Sequence, residues 1–225
     1  LSRSLRTYRE TATLRWEPEY ARLLRAVSSA QENIPDWTYE FDAEKSKEAA
    51  SILATWPGRH HFLALSIGAK LPDKDWGDKN WTSVLDQLAE HDSSLGIMAV
   101  GAREEKDRTG ALLADWLGPV LNLCGATSPI TSALAMRDAK FYLGHDSGPM
   151  HLAALTGIRC VAVFSARAKP GVWFPHGEGH EVLYPWHEAP TVSSKTGLRT
   201  AGGSILSIRV DEVIDACKRV LSCAG

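Results

Sequence analysis

Residues 140–164 read KFYLGHDSGPMHLAALTGIRCVAVF, and this stretch leaves few options for the fold. Phe141, Tyr142 and Leu143 form a short apolar run. Gly144-His145-Asp146-Ser147-Gly148-Pro149 is dense in turn and helix-start residues. Asp146 or Ser147 can cap a helix there, and Pro149 suits its first turn, where a missing N–H costs nothing. Met150 to Leu155 then spell a compact helix closed by Gly157, and Cys160-Val161-Ala162-Val163-Phe164 is a second strand. Both strands are apolar without alternation, so both of their faces must be covered. Strands of that kind joined by a helix pair in parallel. Ligands then sit beyond the carboxyl ends of the strands, where helix N-termini point. Asp146, Ser147, Gly148 and His151 fall at that place.

The alternation continues on both sides. Residues 61–67, 95–100, 120–124 and 180–184 read as strands. Residues 42–55, 81–91, 103–117, 129–137 and 212–221 read as helices, the last introduced by Asp211. Residues 68–80 read as a long polar loop and 188–203 as an irregular one. This order predicts an α/β fold with a doubly wound parallel sheet. Trp56-Pro57-Gly58 breaks the chain, placing a helical connector at 1–56 and the main domain at 57–225. In residues 1–30, six arginines stand against three glutamates; this is either a surface for an anionic membrane or acceptor, or a solvated helix pair.

Composition closes off several classes of function. A net charge of -2 gives no overall pull toward nucleic acid. No apolar run approaches the ~20 residues of a membrane span. The four cysteines form no CxxC pair, and His145, His151, His176 and His180 match no metal motif, so no metal is expected. A reduced, cytoplasmic setting is the simplest reading. There is no GxGxxG fingerprint, no P-loop and no GxSxG elbow.

Four strand-end segments remain. The turn before Met150 presents helix N–H groups that attract phosphate, with His151 one turn in and Asp146 able to accept from a sugar hydroxyl. Gly68-Ala69-Lys70 and Lys74 follow the first strand; the small residues allow close backbone approach, and the ammonium groups can offset charge on a diphosphate. Glu104 or Glu105, after the second strand, can bond ribose hydroxyls. The turn Gly125-Ala126-Thr127-Ser128, after the third, can line a base and its phosphates. Each segment alone also reads as an ordinary cap or solvated loop. Topology brings all four to one crevice, which favours a phosphate-bearing ligand.

Residues 144–154, GHDSGPMHLAA, resemble the D-[ST]-G-x-x-H-L-x-A signature of glycosyltransferase family 9, the ADP-heptose:lipopolysaccharide heptosyltransferases. Lys74-Asp75-Trp76 is similar to the family's K-x-W, residues 123–128 to its L-x-G-x-T-S turn, and Trp173-Phe174-Pro175 to its W-x-P loop. The resemblance implies the C-terminal, donor-binding half of a GT-B enzyme, a Rossmann-like domain. Residues 1–56 would then be the end of the N-terminal half and the connector. It further implies inverting, metal-independent transfer of a sugar from a nucleotide diphosphate donor, with an ADP-sugar favoured and no cofactor, to a lipopolysaccharide-type glycan acceptor.

In that reading Lys74 is catalytic. Gly68, Ala69, Lys70, Glu104 or Glu105, Thr127, Asp146, Ser147, Gly148 and His151 bind the donor. The family's general-base Asp lies near the start of the N-terminal domain and has no counterpart here. Peripheral association with the inner face of the inner membrane and a homodimer are further expectations. A non-catalytic nucleotide-sugar-binding or scaffold module and a GT-B epimerase are the rival readings. The polar segment 188–203 is long for the family, which leaves the donor sugar open.

Overall fold

The computed structural model describes residues 41–167, 170–185 and 204–222. The expected helices of residues 1–30 and the polar segment 188–203 lie outside them. The described elements run α1 (Ala43–Ala54), β1 (Phe62–Ser66), α2 (Asp78–His91), β2 (Gly96–Ala99), α3 (Lys106–Leu112), β3 (Val120–Asn122), α4 (Pro129–Met136), β4 (Tyr142–His145), α5 (Gly148–Leu155), β5 (Cys160–Val163), β6 (Glu181–Leu183) and α6 (Val210–Ser222). The six strands form one sheet in the order β3-β2-β1-β4-β5-β6, and every pairing is parallel. This is the doubly wound, Rossmann-like order expected from the alternating pattern.

The apolar strands are explained by two cores. On one face Leu63, Leu65, Ile97, Leu143, Val161 and Val163 pack against α2, α6 and the end of α3. On the other face Phe62, Ala64, Met98, Tyr142, Cys160 and Ala162 pack against α1, α4 and α5. Successive residues of each strand go to opposite faces, and both faces of β1, β2, β4 and β5 are covered, so these strands are mainly apolar, whereas the edge strand β3 is partly exposed. Helix α1 lies in the predicted connector, yet its Ala49 is buried in the second core and its Glu48 accepts from the Thr131 hydroxyl of α4 at 3.0 Å.

Helices α2 and α3 carry the chain outward from β1 along one face. Helix α4 brings it back beneath the sheet to β4, on the other side of β1. The winding therefore reverses between β1 and β4, where Ser66 is in register with Gly144. A crevice opens above that point, at the strands' carboxyl ends.

Two segments differ from their expected form. The helix expected over 103–117 is a short 3-10 turn, Arg103–Glu105, followed by α3, which ends at Leu112. The chain bends there so that the Trp116 indole N–H can donate to the Leu95 carbonyl at 2.9 Å before β3 begins. The long polar loop expected over 68–80 ends at Gly77, the residue before α2, and is tied down. It contains the 3-10 turn Pro72–Lys74 and the fully buried Trp76. The Trp76 indole N–H donates to the Ile208 carbonyl at 2.9 Å, and its ring meets Trp81 edge-on at 5.1 Å.

These two neighbouring tryptophans should respond differently to truncation. Trp76→Phe strands the Ile208 carbonyl and is expected to cost about 1–3 kcal/mol beyond the lost volume. The Trp81 indole N–H is buried and has no partner among the described residues. Trp81→Phe removes that unpaired donor and should cost clearly less. Urea denaturation of both variants checks the order; equal losses would contradict it.

Candidate functional site

The crevice at the β1/β4 switch point encloses about 750 Å³. Gly68, Ala69, Lys70 and Lys74 line it from the loop after β1, Glu105 from the turn after β2, and Thr127 from the turn after β3. Asp146, Ser147 and Gly148 line it from the β4–α5 turn. Nine of the eleven residues singled out from sequence thus meet in one place. Glu104 and His151 do not line it. His151 stands on the open side of α5 with its ring 6.3 Å from that of Trp173. Partial desolvation holds the His151 pKa below its ordinary value; Asp146 opposes this and Lys74 adds to it.

The centre of the site is an ion pair. Lys74 Nζ donates to Asp146 Oδ2 at 2.5 Å, joining two motifs 72 residues apart in the chain. Asp146 is largely covered and Lys74 about three-quarters so. An ammonium held at the mouth of a helix start is placed to meet a second anion as well. No side chain caps α5: the Ser147 hydroxyl donates back to the His145 carbonyl at 3.3 Å rather than accepting from the helix. The cap expected from Asp146 or Ser147 is therefore not made, because Lys74 takes the Asp146 carboxylate and His145 takes the Ser147 hydroxyl. A side chain at Gly148 would meet nothing within 4 Å, so the helix end is open to the crevice.

Gly68, which lines the crevice, also makes room for a protein side chain. A Cβ there would collide with the Glu105 carboxylate, and a Cβ at Gly101 would do the same. The two glycines make room for Glu105, whose Oε2 accepts the Ala102 N–H at 2.9 Å. Glu105 thereby lines the crevice, while Glu104 is exposed and does not line it. On the far wall the Thr127 and Ser132 hydroxyls are 2.7 Å apart.

The loop that carries Lys74 is held on both sides of it. Asp75 pairs with Arg108 of α3 at 2.8 Å and accepts the Gly77 N–H at 2.9 Å. Burial raises the Asp75 pKa, but Arg108 and the Gly77 N–H more than offset that and leave it below its ordinary value. Asn80 donates to the Trp76 carbonyl at 2.7 Å. Asp73 pairs with Arg167 at 2.7 Å on the surface. Sequence reasoning missed Arg108 and His145. Arg108 lies in an ordinary helical run. In the sequence His145 reads as one residue of a polar turn that matches no metal motif.

His145 is 1% exposed. Its Nε2 accepts the Trp76 N–H at 3.0 Å, so its Nδ1 carries the proton, 3.3 Å from the Gly68 carbonyl. Burial pulls its pKa down to about 4, against the opposing charge of Asp75 and the Gly68 and Ile67 carbonyls and with that of Arg108. Among the described residues no group of three or more His, Cys, Asp or Glu is placed to hold a metal.

The depressed pKa of His145 sets a sign for acid sensitivity. Above pH 6.5 the imidazole is neutral in both folded and unfolded chains. Between pH 6.5 and 4 the unfolded chain binds a proton that the folded chain refuses, so stability falls as pH is lowered, by up to about 3 kcal/mol. In His145→Gln this contribution disappears. Urea denaturation from pH 7 to 4.5 should show wild type losing its advantage over the variant as the pH drops; a constant difference would contradict it.

The family model of glycosyltransferase family 9 (heptosyltransferase) matches residues 5–197. A family 9 glycosyl transferase from Veillonella parvula superposes with a TM-score of 0.72 at 17% identity, over 90% of this chain and 58% of that one. Escherichia coli ADP-heptose lipopolysaccharide heptosyltransferase II superposes with a TM-score of 0.65 at 16% identity, over 86% and 56%. The E. coli heptosyltransferase WaaC, solved with ADP, gives 0.55 at 20% identity, over 79% and 48%. At these identities the likeness is one of fold, and the chain spans about half the length of these proteins. No curated protein matches the sequence. With the family model matching most of its length, the chain belongs to glycosyltransferase family 9.

Proposed function

We propose that this chain carries the nucleotide-sugar donor site of an inverting, metal-independent glycosyltransferase that transfers a sugar, from an ADP-sugar by preference, to a lipopolysaccharide-type glycan. The observation that carries the reading is the Lys74–Asp146 pair at the open N-terminus of α5, inside a crevice of a size for a nucleotide. WaaC was solved with ADP and shares the fold, which supports the choice of nucleotide.

In this arrangement the donor diphosphate lies between the Lys70 and Lys74 ammonium groups and the α5 N-terminus. Glu105 accepts from ribose hydroxyls, and Thr127 lies on the nucleoside side. The Asp146 carboxylate directs Lys74 and accepts from a sugar hydroxyl, and His151 waits at the outer rim. In the transfer step an acceptor hydroxyl attacks the anomeric carbon, and the bond from that carbon to the diphosphate oxygen breaks. Negative charge then builds on the departing nucleoside diphosphate. Lys74 stabilises that charge more than it stabilises the intact donor, which is how it lowers the barrier. The base that takes the acceptor proton is expected from the N-terminal half that family membership implies, with residues 1–56 as its end and the connector.

The place of action follows as part of the same proposal: the cytoplasm, at the inner face of the inner membrane, with peripheral attachment and a homodimer. Among the described residues no helix is long and apolar enough to cross a membrane.

Titration calorimetry with ADP, ADP-heptose and UDP-sugars tests the site. ADP and the ADP-sugar should bind, and Lys74→Ala should weaken them about tenfold or more, with a smaller dependence on salt. Asp146→Ala should also weaken binding, because Lys74 loses its guide. Failure of every nucleoside diphosphate to bind would overturn the proposal.

A further inference from the structure

We propose that His145 is a positioning residue for the donor loop: its neutral imidazole clamps Gly68 and Trp76, the two ends of the segment bearing Lys70 and Lys74, onto the strand bearing Asp146. The inference rests on the donor-site reading and concerns how that site keeps its shape.

The two ring nitrogens do opposite jobs. Nε2 accepts the Trp76 N–H at 3.0 Å, and Nδ1–H faces the Gly68 carbonyl at 3.3 Å. Gly68 and Trp76 begin and end the loop, so one side chain closes it like a clasp. A neutral imidazole offers one donor and one acceptor on opposite sides of a rigid ring, which suits a carbonyl at one loop end and an N–H at the other. The ring is itself fixed, meeting Trp81 edge-on at 5.0 Å. The main chain of His145 joins the same site: its carbonyl accepts the Ser147 hydroxyl at 3.3 Å, and the next residue is Asp146.

The other anchors do different work. Arg108 and the Trp76 indole hold the far end of the loop to α3 and to Ile208. His145 holds both ends to β4, and so sets the separation of Lys74 from Asp146 and the α5 N-terminus. Lys74 has a long, flexible side chain, so its ammonium can be placed reproducibly only if its backbone is.

The test uses His145→Leu and His145→Gln in the full 225-residue chain. Leu fills similar space without polar atoms; Gln keeps an acceptor near the Nε2 position. Amide hydrogen exchange is read at Trp76 and over residues 69–74, with β5 amides as the control for folding. ADP affinity is read by calorimetry. In His145→Leu the Trp76 amide should exchange about tenfold faster or more, with β5 protection kept and ADP bound about tenfold more weakly. His145→Gln should return both readouts to within about threefold of wild type.

If His145→Leu keeps β5 protection and binds ADP within about twofold of wild type, the clamp does not position the site and the proposal fails. It also fails if His145→Gln is folded but loses as much as Leu. Should the Leu variant unfold, the Gln variant decides: Trp76 protection and affinity retained together support the clamp, and protection lost with affinity retained overturns it. Wild type failing to bind ADP would overturn the donor-site reading, while the exchange arm would still show whether His145 holds the loop.

Discussion

A parallel sheet with both faces covered has only one place for polar chemistry. The strands on either side of the switch point, β1, β2, β4 and β5, are buried from end to end, so ligand-facing side chains must come from the loops at the strand ends. Because the strands are parallel, all of their carboxyl ends lie on one rim. Because the chain winds one way from β1 to β3 and returns on the opposite face to β4, the loops on either side of the switch point part and leave a crevice. Everything assigned to the site follows from that topology: the β1 loop brings lysines, the β2 turn a glutamate, the β3 turn hydroxyls and the β4 turn an aspartate and an open helix end.

Topology brings the loops together, but it does not hold a flexible ammonium in place. The segment 68–77 is fixed by contacts from four directions: His145 beneath it, Arg108 beside it, Ile208 behind the Trp76 indole, and Asp146 across the crevice. Two of these, Arg108–Asp75 and Lys74–Asp146, are ion pairs shielded from much of the solvent. Such pairs are more useful for geometry than for net stability, since desolvation offsets much of their attraction. The order they impose means the positive charge stands ready before a ligand arrives, which is the condition for electrostatic stabilisation to act without reorganisation.

Much of the fold was legible in the sequence, for a physical reason. Short unalternating apolar runs rich in β-branched and aromatic residues and bounded by turn residues read as doubly covered strands, and Gly, Pro and Ser mark the turns between them, as Ser128 does by accepting the Thr131 N–H to cap α4. The site was legible where its residues recur as short motifs, as in Asp146-Ser147-Gly148 and Lys74-Asp75-Trp76. The internal support of the β1 loop was not legible. Its anchors lie 33, 69 and 132 residues away in the chain, in Arg108, His145 and Ile208, and no local pattern marks them. The loop is polar by composition, yet one buried tryptophan and one buried histidine make it a wall. The space at Gly68 was likewise spoken for by Glu105, a contact that only the folded chain brings about.

The central claim is that this rim is where a nucleoside diphosphate binds. The most direct measurement is a two-dimensional amide NMR titration of the isotope-labelled chain with ADP. Joint shifts of the Gly68–Lys74 loop, the Glu105 turn and the Ser147–His151 helix start, all saturating with one affinity, are the expected result. Shifts confined to other surfaces, or no shifts at ligand concentrations in the millimolar range typical of weak sites, would contradict a donor site at the β1/β4 switch point.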